Sequence, residues 1–195
     1  TKLTIQGAGT IPTGSTKGSA KSTVITITGA NGFTLTTSLS KKIRVSNIRF
    51  LGGGSSNSNY VFQIQGTTKP ANGGGFRIDH NDFNLTTPAR SVWVNGYTYG
   101  VIDHNNHTGD NMFGFVQEPL GGNPSWNRAI EFGTSNAVYL EDNDVQQTTG
   151  TSWPNRMFCD AYDGGRVVAR YNNLVNHYIG GHDTSSNGRS NLSMV

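Results

Sequence analysis

One short pattern recurs along the chain and constrains its fold more than any other feature. FRIDHNDF at residues 76–83 is followed by GVIDHNNH at 100–107, VYLEDNDV at 138–145 and VVARYNNL at 167–174. Every copy alternates inward and outward positions on both sides of an asparagine, a pattern that indicates strand, tight bend, strand. The spacings between these asparagines are 24, 38 and 29 residues. A fixed local pattern with irregular spacing predicts a solenoid whose coils are separated by loops of variable length.

The asparagines define the predicted bend. They are Asn81, Asn105, Asn143 and Asn172. Asparagine tolerates the left-handed backbone conformation that a tight bend requires, and stacked asparagine side chains can hydrogen-bond along a solenoid. IRVSNIRF around Asn47 is interpreted as an earlier copy that is one residue shorter.

A second strand is predicted before each bend. SVWVNGYTYGVIDHN aligns without gaps on AIEFGTSNAVYLEDN, and FCDAYDGGRVVARYN follows the same frame. The alignment places this strand at residues 92–94, 130–132 and 159–161. YVFQIQG, near residues 61–66, is the same strand one coil earlier.

Composition and pattern together indicate an all-β chain. Short runs of Thr, Val, Ile and Phe are broken by Gly and Asn, and the apolar runs are too short for membrane-spanning helices. The repeat resembles the right-handed parallel β-helix of the pectate-lyase-like superfamily, in which an Asn commonly marks the bend between the second and third strands of a coil. The resemblance implies a single-stranded right-handed parallel β-helix, a solenoid of about six coils with Asn-containing bends and long surface loops. We expect one domain over residues 1–195, either a fragment or an uncapped stack, because neither end shows a capping helix.

Outward positions of successive coils should form columns about one strand spacing apart. One such column is Asp79, Asp103, Glu141 and Arg170. Like charges opposite each other destabilise a sheet unless something compensates. One interpretation is a Ca²⁺ ion held by Asp79, Asp103 and Glu141. The other is that Arg170 neutralises one end, while His80, His104 and water accommodate the remaining carboxylates.

A second predicted column lies on the earlier strand and consists of Gln63, Trp93, Glu131 and Asp160. In β-helix enzymes the cleft generally lies on this strand, so the resemblance implies a ligand site here. Trp93 offers a flat face for a sugar ring. Glu131 and Asp160 on adjacent coils would lie roughly 5 Å apart, a separation that suits an acid–nucleophile pair or a shared metal.

Arginines come just before the same strand in three coils: Arg90, Arg128 and Arg156. One interpretation is that they bind carboxylates or sulfates of an acidic glycan in a bidentate manner. The other is that Arg128 and Arg156 pair with Glu131, Asp160 or Asp163.

Two further residues complete the catalytic candidates. Asp163 in DAYDGGR and His182 in NHYIGGHD are flanked by glycines that can hold polar side chains at a turn, and His182 has the chemistry of a general acid or base. RIDH and VIDH resemble the vWiDH motif of pectate lyases, which in that family lies away from the calcium-dependent cleft. The arginine signature RxPxxR has no counterpart, so the resemblance does not extend to the lyase chemistry.

The sequence therefore leaves two functional hypotheses. The first is a secreted or cell-surface carbohydrate-active protein that binds an acidic polysaccharide; if it is an enzyme, a lyase or glycoside hydrolase would use Glu131, Asp160, Asp163 and His182. The alternative is a structural or adhesive β-helix that associates head to tail into filaments. Residues 1–78 carry a net charge of +9 and residues 79–195 a net charge of −6, which would make such contacts complementary. No nucleic-acid recognition motif accompanies the basic part.

Overall fold

The structure is a computed structural model that describes residues 2–8, 22–38, 41–52, 58–66, 75–85, 90–118, 131–148, 157–182 and 191–194. These residues form strands and connecting turns, with no helix among them, so none of the described segments is a helix able to cross a membrane. The strands are β1 (Lys2–Gln6), β2 (Val24–Ile27), β3 (Asn31–Thr37), β4 (Lys42–Ser46), β5 (Arg49–Gly52), β6 (Tyr60–Gly66), β7 (Phe76–Asp79), β8 (Asp82–Leu85), β9 (Arg90–Gly96), β10 (Gly100–Asp103), β11 (Asn106–Gly109), β12 (Met112–Gln117), β13 (Val138–Glu141), β14 (Asp144–Gln147), β15 (Met157–Tyr162), β16 (Arg166–Arg170), β17 (Asn173–Val175), β18 (Tyr178–His182) and β19 (Asn191–Met194).

Every third strand along the chain belongs to the same sheet. The first sheet has the order β1-β4-β7-β10-β13-β16-β19, the second β17-β14-β11-β8-β5-β2 and the third β18-β15-β12-β9-β6-β3. All sheet neighbours are parallel, and each coil contributes one strand to each sheet. The molecule is therefore a parallel β-helix of about six coils, as the repeat predicts.

The interior is filled by the inward positions of all three sheets. Strand alternation places Ile78 and Ile102 in one inner column of the first sheet and Phe83 in the second, and all three are fully buried. Phe50 stacks on Phe83 one coil further along, with ring centroids 5.3 Å apart. His107 occupies the next position of that inner column and is 1 % exposed, so it is a core residue.

From β4 to β17, each bend between the first and second sheets contains two residues with different roles. The first adopts the left-handed conformation: Asn47, His80, His104, Asp142 and Tyr171, with φ between 51° and 60°. In the last four of these bends the second is the repeated asparagine, whose side chain lies inside the solenoid. The prediction that the repeated asparagines adopt the left-handed conformation is therefore wrong, because the residue before each of them makes the turn.

The repeated asparagines form a continuous hydrogen-bonded ladder. The side-chain oxygen of Asn105 accepts from the backbone N–H of Asn81 at 2.9 Å and from its side-chain amide at 3.1 Å. Asn143 and Asn172 repeat the arrangement, with donor–acceptor distances of 2.9–3.0 Å. Each amide also donates to a backbone carbonyl of the preceding coil, as from Asn105 to Ile78 at 2.9 Å. The ladder thus joins neighbouring coils through side chains as well as through the sheets.

Two details of the predicted register need correction. Ser46 pairs with Asp79 and Arg49 with Asp82, so the coil around Asn47 is not one residue shorter. Asn47 occupies the left-handed position, and Ile48 takes the place of the ladder asparagine, donating its backbone N–H to Asn81 at 3.2 Å.

The second correction concerns the strand predicted at residues 130–132. The third-sheet strand of that coil is β12, which pairs with β9 on one side and β15 on the other. The gap-free alignment failed because 20 residues separate β12 from β13, whereas only three separate β9 from β10. The strands predicted at 92–94, 159–161 and near 61–66 are confirmed as parts of β9, β15 and β6.

Candidate functional site

The outer face of the third sheet has a different composition from the one predicted. The observed column is Gln63, Trp93, Phe115 and Asp160. Glu131 lies in a turn before β13, with φ of 61° and its side chain 3.3 Å from the donating amide of Asn136. The prediction that Glu131 and Asp160 occupy adjacent places in one column is wrong, because Phe115 occupies the place assigned to Glu131.

Four aromatic side chains, one from each of four successive coils, form a continuous stripe that crosses this face obliquely. The stripe is Tyr60, Trp93, Phe115 and Tyr162. Successive ring centroids are 5.7, 5.9 and 5.6 Å apart, and Trp93 meets both of its neighbours edge to face. Phe115 is almost buried, while Tyr60, Trp93 and Tyr162 remain partly exposed. The aromatic surface open to a ligand is therefore wider than the single Trp93 of the sequence prediction.

Arg90 packs on this stripe. Its guanidinium carbon is 3.8 Å from the ring centroid of Phe115 and 4.7 Å from that of Trp93, close enough for cation–π attraction to both rings. Burial lowers the pKa of Arg90 to about 10, although the charge of Asp160 opposes the shift. Arg128 and Arg156 lie outside the described residues, so their predicted role as a glycan clamp stays a prediction.

A column of side-chain amides runs beside the aromatic stripe. Gln65, Asn95 and Gln117 are in register on three successive coils, and Tyr162 follows them. All three amides are partly exposed. Gln117 donates to Asp163 at 3.3 Å, whereas the side chains of Gln65 and Asn95 make no hydrogen bond within the described part of the chain. Each free amide offers donors and an acceptor to a ligand.

The acidic candidates lie at one end of this face and are mostly buried. Asp160 is 1 % exposed on β15, and Asp163 is 7 % exposed in the following turn, where its φ is 50°. Glu118, which the sequence analysis did not single out, is 2 % exposed and accepts a hydrogen bond from the Tyr99 hydroxyl at 3.1 Å. His182 is the last residue of β18, in register with Tyr162. The catalytic roles of Glu131, Asp160, Asp163 and His182 stay predictions, and the first two do not form the expected pair.

The carboxylate column of the first sheet has the predicted register. Asp79 pairs with Asp103, Asp103 with Glu141, and Glu141 with Arg170. Arginines one coil away neutralise these groups: Arg170 lies directly opposite its carboxylate, and Arg44 and Arg77 are diagonal neighbours, which long side chains can reach. Their pairs are Arg44 with Asp79, Arg77 with Asp103 and Arg170 with Glu141, with shortest distances of 2.6 Å.

The Arg44–Asp79 and Arg77–Asp103 pairs are bidentate, with both guanidinium bonds at 2.6–2.9 Å. Burial of Asp79 opposes its ionisation, but hydrogen bonds from Arg44 and His80 and the charge of Arg77 hold its pKa below the ordinary value. The interpretation in which arginine and histidine compensate the column thus gains support, with Arg44 and Arg77 as partners that the sequence analysis missed.

The histidines beside these carboxylates extend the same network. His80 Nδ1 is 2.9 Å from Asp79, and His104 Nδ1 is 2.8 Å from Asp103. The two imidazoles stack on each other with centroids 5.0 Å apart. Among the described residues no group of three or more His, Cys, Asp or Glu side chains is arranged to hold a metal. The Ca²⁺ site stays a prediction, and an ion there would have to displace guanidinium groups.

The same ion pairs bear on the head-to-tail hypothesis. Arg44, Arg49 and Arg77 supply three of the nine positive charges of residues 1–78, and they pair with carboxylates of the next coil. Part of the charge asymmetry is therefore satisfied inside the molecule. The ion pairs weaken the electrostatic argument for self-association, which stays a prediction. At the first coil, Ile5, Ile25 and other inner side chains line an apolar hollow of about 60 Å³.

The comparisons with known proteins add no relative. No protein-family model matches the chain, and neither the curated proteins nor the solved structures contain a significant match. The class of the protein, a parallel β-helix, follows from its sheets and ladder alone.

Proposed function

We propose that this β-helix binds a polysaccharide along the outer face of its third sheet, with the glycan crossing successive coils. The observation that carries the proposal is the aromatic stripe beside the amide column. Both lie on the same face, and successive coils contribute one member to each. An extended polymer of similar units matches such a surface better than a compact ligand.

The chemistry of the face suits sugars. A pyranose has apolar C–H faces that pack on aromatic rings, and its hydroxyls donate and accept hydrogen bonds at the ring edge. Tyr60, Trp93 and Tyr162 supply the rings, while Gln65 and Asn95 supply amides that have no side-chain hydrogen bond to the residues that the structure describes. The resemblance of the repeat to the pectate-lyase-like superfamily supports the same face, since the clefts of β-helix enzymes generally lie there. A secreted or cell-surface location belongs to the proposal.

Binding is proposed without cleavage. A retaining glycosidase needs two carboxyl groups about 5 Å apart, and an inverting one needs them farther apart with water between. Asp160 is almost fully buried, and Glu131 is absent from its column. Lyase or hydrolase activity is a separate hypothesis that goes beyond binding. In the binding experiment below, release of unsaturated uronates would indicate a lyase, and release of reducing ends without them would indicate a hydrolase.

The first test is binding of the purified chain to a panel of neutral and acidic polysaccharides by co-sedimentation and titration calorimetry. Trp93→Ala should weaken binding about tenfold or more, because removing a stacked aromatic anchor typically costs about 1.4 kcal/mol or more. Trp93→Phe keeps a ring and should retain most of the affinity. Gln146→Ala, an exposed position on the outer face of the second sheet, is the matched control. Failure to bind any polysaccharide, or equal affinities for Trp93→Ala and the parent chain with both folded, contradicts the proposal.

A further inference from the structure

Three lysines lie close together at the corner between the third and first sheets. Lys41 and Lys42 are exposed where β3 leads into β4, and exposed Lys2 lies directly opposite Lys42 on the neighbouring strand β1. None of the three forms an ion pair or side-chain hydrogen bond with the residues that the structure describes. Residues 1–78 contain no Asp or Glu. Like charges opposite each other on adjacent strands repel, so an anion bound at this corner would relieve the repulsion.

The lysines border a pocket of about 290 Å³, close to the lower end of the range of roughly 300–1,000 Å³ that is typical of ligand pockets. Lys41 and Lys42 line it together with two exposed residues of β3, Thr34 and Thr36. Apolar walls strengthen the field of like charges in a cleft, so this pocket attracts anions more strongly than a flat surface with the same lysines. Its apolar lining residues are Leu3, Leu35 and Ile43.

The pocket continues the proposed glycan face. Thr36 is in register with Gln65, the first member of the amide column. The Thr34 hydroxyl is 3.0 Å from the hydroxyl of Tyr60, which carries the first ring of the aromatic stripe. A polymer that crosses the coils along the stripe would therefore reach this pocket at the first coil.

The donors in the pocket favour a sulfate group over a carboxylate. A lysine ammonium binds as a point charge with three donors, whereas planar bidentate recognition of carboxylates is characteristic of arginine. The described residues that line the pocket include two lysines and two threonines but no arginine. A sulfate ester presents three oxygens in different directions, so ammonium and hydroxyl donors on either side of the corner can bind it together. A carboxylate presents only two oxygens in one plane.

We propose that this pocket binds a sulfate ester of the glycan that crosses the third sheet. Lys41 and Lys42 supply the positive charge, and the hydroxyls of Thr34 and Thr36 supply further donors. The inference rests on the proposed polysaccharide binding, and it narrows the acidic polysaccharide expected from the sequence to a sulfated one. The cations that select the ligand are then those of this corner rather than Arg90, whose guanidinium lies over two aromatic rings.

Polymers that share a backbone and differ in their substituents test the inference. The probes are cellulose sulfate, carboxymethyl cellulose and hydroxyethyl cellulose, together with dextran sulfate, carboxymethyl dextran and dextran, titrated into the intact chain at about 50 and 500 mM NaCl. At the lower salt concentration, the sulfated member of at least one series should bind at least tenfold more tightly than the neutral member and at least threefold more tightly than the carboxymethyl member. Both ratios should shrink at the higher concentration because salt screens exposed charges. Sulfated members that bind no more tightly than their counterparts in both series would overturn the inference and leave polysaccharide binding intact.

Lysine variants supply a second readout. Lys41→Gln/Lys42→Gln removes two charges from the pocket and should weaken binding of the preferred sulfated polymer at least tenfold at about 50 mM NaCl. Lys41→Arg/Lys42→Arg keeps the charges and should retain binding, but with a smaller preference over the carboxymethyl polymer, because guanidinium suits planar carboxylates. Gln146→Glu/Asn173→Glu lowers the net charge equally on the outer face of the second sheet and should change the affinity less than twofold. Equal losses in the glutamine and glutamate variants would contradict the placement of the site. Thermal melts confirm that all three variants are folded.

Comparison with Trp93→Ala separates the inference from the proposed function. Loss of binding in Trp93→Ala but not in Lys41→Gln/Lys42→Gln would overturn the inference alone. Loss in the lysine variant but not in Trp93→Ala would contradict the proposed glycan face, with the pocket binding sulfate independently of it. A duplex oligonucleotide bound as tightly as the sulfated polymer would show a general polyanion surface and overturn the inference. Binding of inorganic sulfate without binding of any polymer would contradict both.

Discussion

The asparagine ladder yields the sharpest prediction about stability, and Asn105→Leu is the perturbation that tests it. Asn105 is fully buried and bonds to both neighbouring coils. Leucine has a similar volume but no polar atom, so the cavity term is small and the lost hydrogen bonds dominate. The backbone N–H of Asn81 loses its acceptor, and the carbonyl of Ile78 loses a donor.

The expected cost follows from these groups. A buried donor left without a partner costs about 1–3 kcal/mol, and each further lost hydrogen bond contributes about 1 kcal/mol. Asn105→Leu should therefore reduce the free energy of unfolding by about 3–5 kcal/mol, a large part of the 5–15 kcal/mol typical of a native domain. At about 2–4 °C per kcal/mol for a chain of this size, the melting temperature should fall by roughly 10 °C.

Urea unfolding at pH 7, followed by circular dichroism, measures the change, provided that the denaturant slope stays constant. Asn173→Leu, one residue after a ladder asparagine but exposed on the second sheet, is the matched control and should change stability by less than about 0.5 kcal/mol. Asn172→Leu should fall between the two because Asn172 is only partly buried. A loss below about 1 kcal/mol for Asn105→Leu would refute the ladder as a source of stability.

Three further predictions concern ionisable groups. The pKa of Asp79 is lower in the folded than in the unfolded state. Its stabilising contribution is therefore present above the unfolded pKa near 3.8 and is lost as the pH falls through the folded pKa. Arg44→Met should reduce this acid-induced loss of stability, measured by urea titrations between pH 5 and pH 2. Burial lowers the pKa of His107 from 6.5 to about 3, although the hydrogen bond to Asn111 opposes the shift, so only the unfolded state binds the extra proton between these values. The free energy of unfolding should therefore fall by about 2 kcal/mol from pH 6.5 to pH 5. His107→Gln should abolish this pH dependence, and an unchanged pH dependence would exclude His107 as its source. Burial raises the pKa of the Cys159 thiol, which should react with a thiol reagent only in denaturant, and rapid labelling of the native chain would contradict its placement in the core.

The coil architecture and the register of the first sheet were predictable from sequence. Alternation on both sides of the asparagine fixes which residues point inward, and a shared asparagine aligns coils whatever loop separates them. The column of Asp79, Asp103, Glu141 and Arg170 therefore emerged correctly. The third-sheet strand was harder to predict because a connection of variable length separates it from the strand that precedes the next asparagine. The letters around Glu131 matched a neighbouring coil by coincidence, while the true strand lay upstream as MFGFVQ.

Side-chain partners were less predictable than register. Arg44 and Arg77 are 35 and 26 residues from the carboxylates they bind, and the pairing needs both the register and the diagonal reach of arginine. The position of Arg90 over two aromatic rings depends on Phe115, which the misaligned strand had hidden. An arginine beside a tryptophan in sequence does not reveal whether its charge faces a ligand or a ring.

The two-residue bend between the first and second sheets has a consequence for how such a chain can change length. From β4 to β17 every connection between these sheets is two residues long, while the other two corners range from two to 20 residues. One residue inserted between Asp103 and Asn106 would reverse the alternation of β11, exposing His107 and turning Thr108 into the core. In the coils from β4 to β17, insertions and grafted peptides should therefore be tolerated only at the other two corners. The two-residue asparagine corner thus fixes the strand register of these coils. Additional residues are confined to the two corners that border the proposed glycan face.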